Sequence, residues 1–257
     1  MNAPCRLLCF PYAGAGGSVY ARWQRGLTER GCAVEVVPVR LPGRESRARE
    51  PRFTELDALV RALDTELDDV LSHPHLMYGH SMGALVAYAL ALRRQSRGAP
   101  LPRALLLGAH RAPHLPAPHI AEADAPDPEL AAALARLGGL PPLLLDHPEW
   151  LRALLPVVRD DLRVCADVDS VRPDAVRVPL HLFAGEDDAL VRVAEAIAWR
   201  RFAGRGFEVR TVPGGHFFLR SHEGAVLDEV AALVRRYDRV MPDADGPRAA
   251  VRAWSYR

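Results

Sequence analysis

Short apolar runs alternate with amphipathic stretches along most of the chain, and this alternation predicts a parallel α/β structure. Apolar runs bounded by turn residues are typical of strands buried on both faces of a parallel sheet, whereas apolar residues three and four positions apart predict helices. Strand, helix and strand recur in that order, which favours a doubly wound α/β fold. The pattern predicts strands at residues 6–10, 33–39, 76–78, 104–109, 179–184 and 207–212. It predicts helices at residues 19–30, 53–71, 84–92, 194–202 and 223–237.

The alternation stops between residues 111 and about 173, where a loop containing proline and histidine leads into two short helical segments, at about 129–137 and 150–167. Residues 140–145 are more apolar than a connector needs. We therefore predict a helical lid over the active site, with a packed accessory subdomain that does not gate access as the alternative. Residues 1–240 are expected to form a single domain that includes this insertion. The tail at 241–257, rich in Pro, Asp and Arg, is expected to be disordered.

Composition narrows the class of protein. A chain of 257 residues commonly forms one α/β domain, and its net charge of +1 gives no general case for a nucleic-acid or membrane partner. The four cysteines form no C-x-x-C pair and no zinc-like spacing with histidine, so we expect reduced cysteines in the core and no metal. Arg6 interrupts the N-terminal apolar residues, which argues against a secretory signal peptide. No apolar run approaches the ~20 residues that a membrane-spanning helix needs. We expect a cytoplasmic protein, monomeric by default.

Arginines cluster in the loop after the second predicted strand, at Arg44, Arg47, Arg49 and Arg52. Such a run is typical of a solvated surface, and it is also compatible with contact to an acidic partner. Both interpretations remain open from the sequence.

The stretch Gly79-His80-Ser81-Met82-Gly83 fits the G-x-S-x-G nucleophile elbow of α/β-hydrolases, in which the serine sits on a sharp turn between a strand and a helix. Ser81 is the candidate nucleophile. An oxyanion hole in this fold takes one backbone N–H from the residue after the nucleophile, here Met82, and another from an early strand-to-helix loop. The glycine-rich loop at 11–18 offers Ala13 for the second donor.

A serine hydroxyl needs a base to accept its proton, and an acid to hold that base in the productive tautomer. The expected chain order is Ser, acid, His. His216 follows the last predicted strand, as the base would. The acid follows the fifth strand, where Glu186, Asp187 and Asp188 are adjacent and the pattern does not choose between them. The remaining histidines, including His80, are interpreted as structural or surface residues.

Taken together, several stretches resemble the type II thioesterases that accompany polyketide synthases and nonribosomal peptide synthetases. The resemblance covers nearly the whole chain and implies an α/β-hydrolase fold with a mostly parallel sheet flanked by helices. The family pattern G-x-x-D-x-x-V aligns Gly185, Asp188 and Val191, so the resemblance selects Asp188 as the acid. The stretches that carry it are 10–14 with Tyr20 and Trp23, 41–44, 79–84, 111–114, 155–156 with 159–162, and 214–218.

Two positions depart from the family pattern. Ala15 and Gly16 stand where the family more often has Gly and Ser, and Ala189 replaces a frequent proline. Neither position supplies a catalytic side chain, although the first lies in the oxyanion loop.

The resemblance implies hydrolysis of acyl thioesters on the phosphopantetheine arm of carrier proteins, which removes stalled or aberrant acyl groups and requires no cofactor or metal. Three alternatives share the same motifs: a thioesterase that releases a finished product, a carboxylesterase of small esters, and a degenerate hydrolase that binds carrier proteins without turnover. The lid and the entrance to the site would separate the carboxylesterase from the thioesterase. The intact Ser81, Asp188 and His216 argue against the binding protein.

Overall fold

The computed structural model describes residues 5–116, 123–140, 143 and 147–238. The predicted tail at 241–257 and most of the apolar stretch at 140–145 lie outside these residues. Within the described residues, no helix is both long enough and apolar enough to cross a bilayer.

A six-stranded parallel sheet forms the centre of the molecule, in the order β2-β1-β3-β4-β5-β6. All six predicted strands are present, within a few residues of their predicted limits. The four inner strands are buried on both faces and are therefore mainly apolar runs, whereas the edge strands β2 and β6 are only partly buried and carry charged residues. The strands are β1 (Cys5–Phe10), β2 (Val34–Pro38), β3 (His75–His80), β4 (Leu105–Gly108), β5 (Leu180–Gly185) and β6 (Phe207–Val212).

The strand order reverses at β1, which lies between β2 and β3. Their register pairs Phe10 of β1 with Gly79 of β3, so both strands end at the same height. The loop after β1 and the elbow after β3 therefore meet at the carboxyl edge of the sheet, at the switch point where open α/β sheets bind ligands.

Helices cover both faces of the sheet, and α4 is the most deeply buried of them, with nearly every residue shielded from solvent. On α2 the buried residues Leu56, Leu59, Val60 and Leu63 form the apolar stripe that the sequence predicted. The helices are α1 (Trp23–Glu29), α2 (Leu56–Glu66), α3 (Asp68–Leu71), α4 (Met82–Ser96), α5 (Asp127–Arg136), α6 (Pro148–Ala166), α7 (Val193–Ile197), α8 (Phe218–Ser221) and α9 (Glu223–Asp238).

Three predicted helices are divided. The stretch at 194–202 is α-helical as far as Ile197 and continues as a 3₁₀ helix at Ala198–Phe202. The stretch at 19–30 begins as a 3₁₀ turn at Gly17–Tyr20 and becomes helical at Trp23. The stretch at 53–71 is divided at Leu67, whose ψ of 5° leaves the helical region. Its helical part starts only at Leu56, whose N–H donates to the Asp167 carboxylate at 2.8 Å. A contact this distant in sequence cannot be read from a local pattern.

The insertion contains α5 and α6, close to the two predicted helical segments. They pack together through Leu130, Leu155, Val158 and Leu162, in a cluster separate from the two that cover the sheet. The insertion therefore has its own apolar contacts above the carboxyl edge of the sheet, as both a lid and an accessory subdomain require.

Candidate active site

Ser81 occupies a strained turn between β3 and α4. Its φ of 53° and ψ of −120° lie where non-glycine residues are rare. The two glycines of the motif permit this turn. A Cβ on Gly79 would lie 2.1 Å from the Gly83 carbonyl oxygen, and a Cβ on Gly83 would lie 2.1 Å from that of Phe10. The elbow can close because neither position carries a side chain.

The structure brings Ser81, His216 and Asp188 together from three loops at the carboxyl edge of the sheet. His216 Nε2 lies 2.9 Å from Ser81 Oγ, and His216 Nδ1 lies 2.9 Å from Asp188 Oδ2. His216 and Asp188 are each 6% exposed. The serine hydroxyl can therefore donate to Nε2 while Nδ1–H donates to the carboxylate, as general-base activation of a serine requires.

Asp188 is the acid that reaches the histidine. Glu186 and Asp187 point to solvent. The other oxygen of Asp188 accepts the N–H groups of Leu190 and Val191 at 2.8 and 3.0 Å. Burial raises the pKa of this carboxyl, but the hydrogen bond and charge of His216 and these two backbone donors outweigh it and hold the pKa below its usual value.

The two sequence-predicted oxyanion donors lie in adjoining segments. The Ser81 N–H is occupied, since it donates to the Gly108 carbonyl at 2.8 Å. The N–H groups of Met82 and Ala13 have no acceptor within the described parts of the chain. Met82 begins α4, so its N–H also stands at the positive end of the helix dipole. The carbonyls of Phe10 and Pro11 fill the space beside Gly83. The loop that carries Ala13 therefore passes directly over the elbow.

His80 contributes to the site, although its position in the sequence predicts only a structural or surface role. The ring is fully buried, and its Nε2 lies 2.7 Å from the His216 carbonyl oxygen. Because a carbonyl only accepts, Nε2 carries the proton. Burial is the main cause that lowers the His80 pKa to about 3, so the ring is neutral. The sequence feature that could have indicated this role is the position of His80 next to Ser81 in the elbow motif.

Arg44 fits neither interpretation of the arginine cluster, whereas Arg49 and Arg52 are exposed, as the surface interpretation expects. The Arg44 side chain is only 9% exposed and binds both oxygens of Asp161 on α6, at 2.6 and 2.8 Å. Arg47 binds Glu50 and Glu66, and Arg52 binds Asp160. These three arginines form ion pairs within the chain. The signal for the Arg44–Asp161 pair in the sequence is the two stretches at 41–44 and 159–162 that resemble the family.

A cavity of about 300 Å³ opens beside Ser81 and His216. Its walls come from the loop after β4, the acid loop and α6. Burial raises the pKa of the Cys165 thiol to about 12 and lowers that of His110 to about 4, so both groups are neutral at pH 7. The apolar lining is formed by Ala112, Pro113, Leu115, Leu162, Cys165, Val168, Leu190 and Val191.

A second cavity, of about 350 Å³, lies between the insertion and the oxyanion loop. Ala13 and Gly14 form one wall, and Leu134, Leu154 and Val158 of α5 and α6 form the other. The candidate oxyanion hole is therefore bordered by the insertion.

Metal-ligating side chains are dispersed. Within the described residues, no three His, Cys, Asp or Glu side chains are grouped so that they could hold a metal ion. The four cysteines are free thiols, of which Cys5, Cys9 and Cys32 are buried as expected for core residues.

Comparison with known proteins identifies the family. Residues 5–234 match the family model of the thioesterase domain. "Linear gramicidin dehydrogenase LgrE" of Brevibacillus parabrevis is 33% identical over 239 residues, covering 92% of this chain and 90% of that protein. The dehydrogenase activity in this name applies to the relative. In this chain Gly14 and Gly16 match the first two glycines of a dinucleotide-binding G-x-G-x-x-G motif, but Val19 stands at the third, so the motif is incomplete.

Solved structures with similar sequences carry the same fold. The thioesterase RedJ, from the prodiginine pathway of Streptomyces coelicolor, is 37% identical with a TM-score of 0.82, covering 90% of each chain. The type II thioesterase BorB, from the borrelidin biosynthetic cluster, is 32% identical with a TM-score of 0.78, covering 91% of this chain and 94% of that one. The chain therefore belongs to the thioesterase family, as a thioester hydrolase of the α/β-hydrolase fold similar to the type II thioesterases of polyketide and nonribosomal peptide pathways.

Proposed function

We propose that this enzyme hydrolyses acyl groups from the phosphopantetheine arm of carrier proteins and so clears stalled or aberrant units from a polyketide or nonribosomal peptide assembly line. The observation that carries the proposal is the position of Ser81: its hydroxyl is hydrogen-bonded to His216 and faces an apolar cavity of about 300 Å³. An acyl group fits such a cavity, and the assembly pathways named for the similar proteins supply acyl thioesters.

In the acylation step, Ser81 Oγ attacks the thioester carbonyl while His216 Nε2 takes its proton. The negative charge on the carbonyl oxygen is held by the N–H groups of Met82 and Ala13. As the tetrahedral intermediate collapses, the carbon–sulfur bond breaks and the imidazolium protonates the departing thiolate. A thiol, with an ordinary pKa near ~8.5, is a far better leaving group than an alcohol.

In the deacylation step, water replaces the serine as nucleophile. His216 takes a proton from the water, the same two N–H groups hold the oxyanion, and the proton returns to Ser81 Oγ as the acid leaves. Asp188 stabilises the imidazolium in both halves of the cycle. The chemistry requires only these groups of the chain, with no metal or cofactor.

The insertion is proposed to act as a lid. The support is its position: α5 and α6 border the cavity beside the oxyanion loop, and α6 also lines the cavity beside Ser81. A carrier domain would present its arm between the lid and the sheet, to a monomeric enzyme in the cytoplasm.

The test is single-turnover release of acetyl or propionyl groups from an acylated carrier protein, compared with a matched p-nitrophenyl ester. Wild type should prefer the carrier thioester, and Ser81→Ala should abolish release. Ser96→Ala is the matched control, since the same hydroxyl is removed at the far end of α4, where it donates to the Arg93 carbonyl. This control should behave as wild type.

Other outcomes point to other functions. Fast ester cleavage without carrier turnover would indicate a carboxylesterase. Carrier binding without turnover of either substrate would indicate a degenerate binding protein. Release of full-length product in preference to short acyl groups would indicate a product-releasing thioesterase.

A further inference from the structure

Asp161 joins the lid helix α6 to the oxyanion loop. Its Oδ2 accepts the Gly14 N–H at 2.7 Å and one guanidinium nitrogen of Arg44 at 2.6 Å. Its Oδ1 accepts the other Arg44 nitrogen at 2.8 Å. Arg44 also donates to the Ala15 carbonyl at 3.0 Å. The aspartate side chain is 3% exposed, so these contacts are shielded from water.

The contacts hold a tight turn around the candidate oxyanion donor. The Ala15 N–H donates to the Tyr12 carbonyl at 3.0 Å, and Gly14 has a φ of +80°. A bond of this spacing with a positive φ at the third residue is typical of a type II turn. The peptide between Ala13 and Gly14 is the centre of that turn. The Ala13 N–H belongs to the peptide before it, which is held through the bond of the Tyr12 carbonyl to the Ala15 N–H. In a type I turn the central peptide is rotated by about half a revolution, so the Gly14 N–H would point away from Asp161.

We infer that Arg44 and Asp161 are positioning residues for catalysis, because together they anchor Gly14 and Ala15, and the turn that Ala15 closes holds the Tyr12–Ala13 peptide, which carries the Ala13 N–H. This inference rests on the proposed function, in which Ala13 supplies one of the two donors. Neither side chain touches the reacting atoms. Asp161 holds the Gly14 N–H, and Arg44 holds the Ala15 carbonyl.

The same helix makes a second contact with this turn. A Cβ on Gly14 would lie 2.6 Å from Val158 Cγ2, so α6 packs directly on the glycine with the side chain three residues before Asp161. Val158 and Asp161 are on the same face of α6. The placement of α6 and the geometry of the oxyanion loop are therefore set together, and an altered α6 would change the rate of the chemical step.

The test is Asp161→Ala, assayed for kcat and KM with acyl-carrier substrate. We expect kcat to fall about 100-fold, as for loss or displacement of one oxyanion donor, with KM within about twofold of wild type. A trifluoromethyl ketone analogue separates positioning from general damage, since Ser81 adds to its carbonyl and forms an oxyanion. Its Ki should rise in parallel with the loss in kcat. A thioether analogue, which has no carbonyl oxygen, should bind as to wild type.

Loss of one partner from a buried ion pair can unfold a protein, so a second variant is needed. Arg44→Met combined with Asp161→Leu replaces the pair by apolar side chains, which usually retains stability. The double variant should be folded and still have a low kcat, because Gly14 has lost its acceptor. Arg52→Gln is the matched control: it breaks the neighbouring pair with Asp160, between the same two segments, without touching the turn. It should keep wild-type kcat.

The outcomes separate this inference from the proposed function. A wild type without thioesterase activity would refute the proposed function. An active wild type with the double variant within threefold of its kcat would overturn the positioning role. The role would also be overturned by equal losses of kcat in the double variant and in Arg52→Gln, or by unchanged binding of the ketone.

Discussion

His80 donates its Nε2–H to the carbonyl oxygen of His216 at 2.7 Å. The second residue of the elbow therefore holds the backbone of the proposed base, and the loops after β3 and β6 are joined by one buried hydrogen bond. The Phe218 ring packs edge-on against the imidazole, with 4.8 Å between centroids. This arrangement fixes the height of His216 above Ser81 independently of the hydrogen bond between their side chains.

We expect His80→Ala to lower kcat by about tenfold or more, since small displacements of a catalytic group are costly. Stability should fall by about 1–3 kcal/mol because the buried His216 carbonyl loses its donor. His80→Gln keeps an N–H donor of similar reach and should recover part of kcat. Steady-state kinetics and thermal unfolding check both variants. Wild-type kcat in His80→Ala would show that the bond has no catalytic consequence.

Asp188→Asn should reduce kcat by about 10⁴-fold, because an amide in place of the carboxylate favours the wrong tautomer of His216. The matched control is Asp187→Asn, which removes an exposed carboxylate from the adjacent residue and should leave kcat within about twofold. Pre-steady-state kinetics with a chromogenic thioester would measure both. A large loss in Asp187→Asn with little in Asp188→Asn would assign the acid to the other residue.

Much of this arrangement could be predicted because its determinants are local. Apolar runs identified the strands, and the glycines around Ser81 identified the elbow, since the turn permits no side chain at either position. The order of the loops placed His216 last. The choice of Asp188 among three adjacent acids required the family resemblance, because a shift of one residue in a loop decides which side chain turns inwards.

What the sequence could not show depends on contacts between distant segments. Arg44 and Asp161 are separated by 117 positions, and a run of arginines in a loop is equally typical of a solvated surface. The late start of α2 depends on Asp167, and the donor role of His80 depends on a carbonyl 136 positions away. Each of these contacts arises only when the chain is packed, so no local sequence pattern predicts it.

Stability should fall as the pH falls below neutrality, because three buried histidines and the half-buried His110 resist protonation. Burial is the main cause that lowers the pKa of His75, His110 and His181 to about 4 and that of His80 to about 3. The unfolded chain protonates them near pH ~6.5. Between that pH and about 4 the unfolded state therefore binds more protons than the folded state, and each histidine removes up to ~1.4 kcal/mol of stability per pH unit.

His75→Phe tests the contribution of one of these histidines to the pH dependence of stability, at a position away from the active site. His75 is 1% exposed at the start of β3, and its Nε2 has no hydrogen-bond partner within the described structure. The positive charges of Arg94, Arg103 and Arg6 further disfavour its protonation. Urea unfolding at about pH 7 should show a small change, whereas at about pH 5 the variant should gain roughly 2 kcal/mol relative to wild type. A pH-independent difference would refute this assignment.

Asp64 should be a major determinant of stability without a role in catalysis. The carboxylate is 1% exposed and accepts hydrogen bonds from Arg93, Arg94 and Arg97, joining α2 to the far end of α4. Burial raises its pKa, but these hydrogen bonds, that of Arg94 first, hold the pKa below its usual value. Among the described residues, Asp64→Ala would leave the fully buried Arg94 with Asp68 as its one acidic partner.

Removal of one partner from a buried pair typically costs about 3–5 kcal/mol, so urea denaturation of Asp64→Ala should show a loss of that size. The kcat of the folded fraction should be unchanged, since Arg94 lies about 20 Å along α4 from Ser81. Asp57→Ala breaks an exposed pair with Arg61 on the same helix and should cost at most about 0.5 kcal/mol.

Arg94→Met combined with Asp64→Leu should recover most of the lost stability, because no charge is then left buried without its partner. If Asp64→Ala instead loses less than about 1 kcal/mol, water must reach Arg94 in the variant, and the cluster would be a surface network rather than a buried one.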